Sequence, residues 1–209
     1  MGGSLIPVSD EQAKAIQEAL KLLHGLGTFF SKALGGTPED IVAVLGGDWI
    51  RVKRAENMVK MLRRAESRLN SEQINIEAAP LKLAIPILRD AADESRDELQ
   101  ELWAELLAAA VDPNRVKDMR SAYVDIAKSL EIDDLSVLRH FAKKTQITAG
   151  ERSAMSGSLG LTLDRGNVSI DHLKQLGLVF DPNGLILVIT SLGKEFMRLV
   201  TSTPSHRPK

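Results

Sequence analysis

Cysteine is absent from this chain, and aromatic residues make up only 4% of it, with a single tyrosine. Without thiols there is no disulfide framework, no thiolate zinc site and no cysteine nucleophile, a composition that suits a reducing cytoplasm. An excess of charge of one sign is missing too. Lysine and arginine total 27 against 28 aspartates and glutamates in 209 residues, a net charge of −1, so no global field draws the chain to nucleic acid or to an anionic membrane. The sequence also lacks any uninterrupted apolar run of about eighteen residues and any basic start followed by an apolar block and cleavage site. Gly2 is followed by Ile6 where a myristoylation signal needs serine or threonine. These absences predict a soluble, unprocessed, cytoplasmic protein.

What the chain does have is apolar residues at helical spacing, within an apolar content of 44%. Ser9 with Gln12 reads as a capping box opening a first helix, in which Ile16, Leu20, Leu23, Phe30 and Leu34 form one stripe. Leu22, Leu26, Phe29 and Ala33 widen it, and Gly35 and Gly36 end it. Thr37, Pro38, Glu39 and Asp40 start a short second helix that stops at Gly46 and Gly47. Asp48 caps a long third helix reaching Leu69, with Val52, Ala55, Val59, Leu62 and Leu69 on one half of the cylinder. Lys53, Lys60, Arg63, Arg64 and Arg68 occupy the other half. Arg51 points into the apolar half, where it either has a partner or escapes from the first turn into solvent.

A polar loop from Asn70 to Ala79 leads to Pro80 and an apolar helix of Leu81, Leu83, Ile85, Ile87 and Leu88, which Pro86 must kink or interrupt and which reads as buried. The next stretch, Asp97 to Asn114, is the most informative. Leu99, Leu102, Trp103, Leu106 and Ala110 recur on one side of a helix and Glu98, Glu101 and Glu105 on the other, before Asp112 and Pro113 stop it. Tyr123, Ile126 and Leu130 mark a further helix. Asp133 or Asp134 caps another that contains Leu135, Leu138 and Phe141.

After Gly150 the composition changes. An apolar turn at Leu159–Leu163, a helix from Asp164 to Leu176, and strands at Leu178–Phe180 and Leu185–Thr190 around Asp181, Pro182, Asn183 and Gly184 precede a last helix from Leu192 to Val200. Gly177 suits the left-handed residue after the middle helix. The order is that of a winged helix-turn-helix. The fold class expected is therefore mainly α: a helical bundle followed by a winged-helix-like α+β domain. Residues 1–8 read as a disordered or tag-derived lead, 9–130 as the bundle, 131–200 as the winged-helix-like domain and 201–209 as a disordered tail. The boundary between the domains falls near Ser129–Asp134.

Leu45 to Asp48 with the arginines and Asn57 after it, Pro80 with its apolar helix, and Asp97–Ala104 with Leu106, Leu107, Asp112 and Pro113 together resemble the Abi-alpha family of bacterial proteins, named for abortive infection. Leu173–Leu178 followed by Thr190, Leu192, Gly193 and Phe196 fit the same pattern, so the resemblance runs from about residue 40 to about residue 200. It implies defence against bacteriophage, and it carries over no catalytic residues.

The four histidines, His24, His140, His172 and His206, are scattered and lack metal-ligand spacing. The glycines at Gly25, Gly27, Gly35 and Gly36 lack the lysine and the preceding strand of a phosphate loop. Capping explains the acidic pairs Asp93–Glu94 and Asp133–Asp134 more simply than acid–base work does. No cofactor, metal or catalytic residue is expected, and the chain is read as non-enzymatic. Phe30, Leu34, Leu99, Trp103 and Leu106 are the expected partner-binding residues, for a homo-oligomer or a second defence protein. Lys60, Arg63, Arg64 and Arg68 form a basic surface, open to RNA, phosphate or lipid, or else paired with Glu98, Glu101 and Glu105. Arg165, Asn167, Ser169 and Lys174, with His172, are the candidate nucleic-acid contacts of a transcriptional regulator, against which Asp164, Asp171 and a wing without lysine or arginine argue. A third reading has residues 9–34 associate with a membrane.

Overall fold

The computed structural model describes residues 24–37 and 52–201, together with Lys14, Gln17 and Lys21. The capping box at Ser9 and Gln12, the expected second helix beyond Thr37, the Asp48 cap, Arg51 and the tail after Thr201 lie outside the described residues. The protein is mainly α with an α+β part, and divides into two compact units, Met1–Ser121 and Ala122–Lys209.

Unit 1 is helical throughout the described residues. Helix α1 (Gly27–Leu34) ends at Gly35, whose φ of 68° is the left-handed conformation glycine adopts at least cost. Helices α2 (Val52–Ser71), α3 (Leu81–Asp93) and α4 (Asp97–Val111) pack on one another. Proline at position 86 sits inside α3 without ending it. Only one side of α3 is covered, through Leu83, Ala84, Ile87, Leu88, Ala91 and Ala92. The helix is buried as expected through Leu83, Ile87 and Leu88, whereas Leu81 at its start is 58% exposed.

All-round burial belongs to α4, where every residue from Leu102 to Val111 is buried. The helix begins amphipathic and ends as the middle of the bundle, because α2 and α3 both lie against it. The loop before α3 satisfies carbonyls left over at helix ends: the Glu77 amide donates to Val111 O at 2.9 Å and the Ala79 amide to Ala33 O at 2.8 Å. Two buried amides close the last turn of α3 in the same way. Asn57 Nδ2 donates to Ala92 O at 3.0 Å, and Gln100 Nε2 to Ala91 O at 2.8 Å and Glu94 O at 2.5 Å. Their burial holds because each finds such acceptors.

Unit 2 carries helices α5 (Ser121–Ser129, whose first residue closes unit 1), α6 (Ile132–Lys144), α7 (Arg152–Ser158), α8 (Leu163–Gln175) and α9 (Ser191–Val200). Its antiparallel sheet has the order β1–β3–β2, formed by Gln146–Thr148, Ile186–Ile189 and Val179–Phe180. Strand β1 and helix α7 extend what the sequence alone suggests, since three residues and a serine-rich turn show no periodicity. The unit is the α+β part of the protein. Its boundary with unit 1 falls at Ser121–Ala122, a helix earlier than the expected Ser129–Asp134, because the Tyr123 ring of α5 packs edge-on against Phe196 of α9 at 5.9 Å.

The cap of α6 also differs from expectation. Glu131 is the capping residue and Asp134 the third helical position, whose carboxylate accepts from the Glu131 amide at 2.9 Å in a reciprocal box. At the other end of the unit, Thr190 Oγ1 accepts from the Gly193 amide at 3.0 Å and donates to Gly177 O at 2.7 Å. Thr190→Ala is expected to cost about 1 kcal/mol of stability, read as a lowered urea midpoint for unit 2.

Candidate functional site

Residues four apart stack along one side of a helix, and α2 and α4 each place three charged residues that way. Lys60, Arg64 and Arg68 on α2 meet Asp97, Glu101 and Glu105 on α4. Lys60 Nζ lies 2.5 Å and Arg64 Nη2 2.6 Å from Asp97 Oδ1, while Arg64 Nε lies 3.7 Å from Glu101. Arg68 pairs with both Glu101 and Glu105, and Arg115 Nη2 lies 3.6 Å from Glu105. Arg54 continues the seam onto Asp93 of α3. Lys60 and then Arg64 hold the Asp97 carboxyl below its ordinary range.

The basic side of α2 is therefore largely committed within its own unit. Of the four residues expected to form a basic surface, Lys60, Arg64 and Arg68 are in ion pairs, and Arg63 is exposed beside Glu56 and Val59. The acidic partners are Asp97, Glu101 and Glu105, so Asp97 takes the place expected of Glu98. Exposed pairs of this kind contribute little to stability and fix helix register instead. Glu105 is the exception, at 7% exposure. Burial pushes its carboxyl up to about 7 even though Arg68 and Arg115 pull it down.

The expected partner-binding residues are corrected by their burial. Phe30, Leu34, Leu99, Trp103 and Leu106 are all buried in unit 1, none more than 3% exposed. Apolar spacing marks a covered face without saying what covers it, and here other helices of the same unit do. Phe29, Phe30, Ala33 and Leu34 are buried as well, and no helix among the described residues is long and apolar enough to cross a membrane.

In unit 2 the exposed side of α8 carries Leu163, Asp164, Arg165, Val168, Asp171 and Lys174. Its two cations are paired: Arg165 with Asp133 at 2.7 Å and Lys174 with Asp171 at 3.3 Å. Ser169 faces inward at 2% exposure, which removes it from the expected nucleic-acid contacts. Asn167 is half-buried, with an Oδ1 that finds no hydrogen-bond donor among the described residues. His172 Nδ1 lies 2.7 Å from Asp134 Oδ2 and so ties α8 to the capping box of α6. Beside the exposed Asp164 and Asp171, large apolar side chains are open to solvent. Val168 is 70% exposed, and Phe180 on β2 is 57% exposed. Phe180 pairs with Val188, so both lie on the outer side of the sheet, while the Val179–Ile189 pair turns inward.

His140, half-buried on α6, is held below its ordinary range by burial and by Lys144 and Lys143. Among the described residues no three histidine, aspartate or glutamate side chains converge on a site for a metal ion.

The helices bearing the seam, the exposed side of α8 and the first half of β3 fall inside one match. A family model described as abortive infection alpha covers residues 53–187, from α2 into β3. The chain belongs to the abortive infection alpha family. No curated protein and no solved structure matches it. The Asp97–Val111 stretch that carries the resemblance in sequence is thus the central helix of a bundle in this member of the family, and the second half of the match covers unit 2 as far as Leu187. Membership connects the chain with abortive infection.

Proposed function

We propose that the protein is a non-enzymatic, cytoplasmic component of bacterial defence against phage, acting through recognition of another protein or of further copies of itself. One observation carries the reading. On α8, in the position of a recognition helix, both cations are neutralised by carboxylates and the most exposed large apolar side chain of the described residues, Val168, stands between them. Phosphate binding needs cations that are free to displace counterions, whereas an exposed apolar residue gains by meeting another protein.

The test is a pair of surface variants, Val168→Asp and Phe180→Ser, in the full chain. Both should leave the stability within about 0.5 kcal/mol of the parent, abolish the assembly that the reading expects on sizing with light scattering, and abolish protection in a plaque assay. Full protection in both variants would sink the reading.

The runner-up, a regulator binding operator DNA, is favoured by the winged-helix-like order of unit 2. In that case Arg165→Ala and Lys174→Ala weaken binding to DNA from the protein's own locus, with steep salt dependence. Unchanged retention in both variants removes it.

A further inference from the structure

The charged seam ends in a carboxyl group that has left the surface. Glu105 pairs through Oε1 with Arg68 of α2, and its Oε2 faces Arg115 Nη2 at 3.6 Å with no hydrogen-bond donor among the described residues. Arg115 stands in the segment that follows α4. In that segment the Arg115 and Val116 amides donate to Asp112 O at 3.0 and 2.9 Å, the Asn114 amide to Asp112 Oδ1 at 2.8 Å, the Asp118 amide to Arg115 O at 3.0 Å and the Met119 amide to Val116 O at 3.1 Å. It then runs out of unit 1, which ends at Ser121. One carboxylate therefore connects α2, α4 and the exit segment.

We propose that Glu105 is a proton-operated latch on the exit segment of unit 1, which holds Arg115 when ionised and releases its grip when protonated. The charged groups around it are Arg68 of α2, Glu72 in the turn after α2, Glu101 one turn earlier on α4, and Arg115. Arg64 lies a further turn away and is occupied by Asp97 and Glu101. Burial is the largest influence on the carboxyl, Arg68 and then Arg115 oppose it, and Glu101 and Glu72 reinforce it. The balance puts protonation at about 7, where a small change in pH alters the charge.

The latch has an unusual signature. A carboxyl raised from 4.5 to about 7 on folding contributes stability that is fully present below 4.5 and is lost as pH rises through about 7. Acidification into that window therefore strengthens the fold as a whole while it loosens the segment that Arg115 anchors. A merely structural carboxylate changes both in the same direction.

The experiment compares amide-exchange protection factors of Arg115, Val116 and Asp118 in the full chain and in Glu105→Gln at pH 5.5 and 8.5, alongside a carbon-13 titration of the Glu105 carboxyl. The expected result is roughly tenfold higher protection in the parent than in Glu105→Gln at pH 8.5, no difference at pH 5.5, and a titration midpoint near 7. A ratio of protection factors that is constant with pH, or a midpoint near 4.5, overturns the latch. Should Glu105→Gln fail to fold, Arg115→Met serves instead. Removing that cation must then move the Glu105 midpoint upward, and an unmoved midpoint counts against the proposal.

Discussion

Replacing Trp103 by alanine is expected to cost unit 1 about 3–5 kcal/mol, read as a collapse of its urea midpoint by far-ultraviolet dichroism. Trp103 is 3% exposed on a helix that is buried on every side from Leu102 onward. Truncation therefore leaves a cavity that the packed surroundings of α2 and α3 fill only in part. Against a total stability of about 5–15 kcal/mol for an ordinary domain, such a loss leaves little folded protein. A tryptophan at an interface behaves differently: the midpoint hardly moves while assembly is lost. An unchanged midpoint with a dissociated complex would restore Trp103 to the partner-binding role that its spacing first suggests.

Gly193→Ala should destabilise unit 2 by about 2–3 kcal/mol, although helix propensity alone predicts a gain of about 1 kcal/mol at a helical position. Sterics decide the sign. A Cβ at this position falls 2.4 Å from Leu178 O and 2.8 Å from Ile189 Cγ1. The carbonyl has nowhere to go, because it also accepts from the Thr190 amide at 3.0 Å. Gly166 supplies the contrast. There a Cβ meets Ser156 Oγ at 2.0 Å and Ser156 Cβ at 3.1 Å, and the first of these is a side chain that can rotate. Gly166→Ala is therefore expected to cost less, and Ser156→Ala to recover part of it. Equal midpoints for Gly193→Ala and the parent would show that α9 can slide away from the sheet.

Much of the architecture is legible in the chain because it depends on neighbours in sequence. The stop after α4 falls at Asp112, where proline at the next position ends helical geometry, and Gly177, at φ 71°, supplies the left-handed residue after α8. The Leu176-Gly177-Leu178 and Thr190-x-Leu192-Gly193 patterns are also visible at once. Their reason is not, since it lies in their meeting. Thr190 caps α9 and reaches Gly177 O, Leu192 lies over Gly177, and Gly193 lets α9 approach the carbonyl of Leu178.

The candidate site was harder to read. Glu101 and Glu105 look equivalent on a helical wheel, yet one is half-exposed and the other is 7% exposed. Arg68, 37 residues before Glu105, pairs with both carboxylates, and Arg115, 10 residues after Glu105, lies beside the buried one. Gln100 carries no signal in its neighbourhood either. It is buried only because the end of α3 offers two carbonyls to its side chain.

The amino-acid order by itself determined most of the helices and several of their stops, which residues share a side, and membership of the abortive infection alpha family. These properties are local, or are patterns of residue type. Only the tertiary structure decided that the Trp103 side is core and not interface, that the basic side of α2 is spent on α4, and that Glu105 is sealed between two arginines. Periodicity reports that a surface is to be covered. What covers it, and which charges are neutralised in doing so, depends on segments far apart in the chain that only folding brings together.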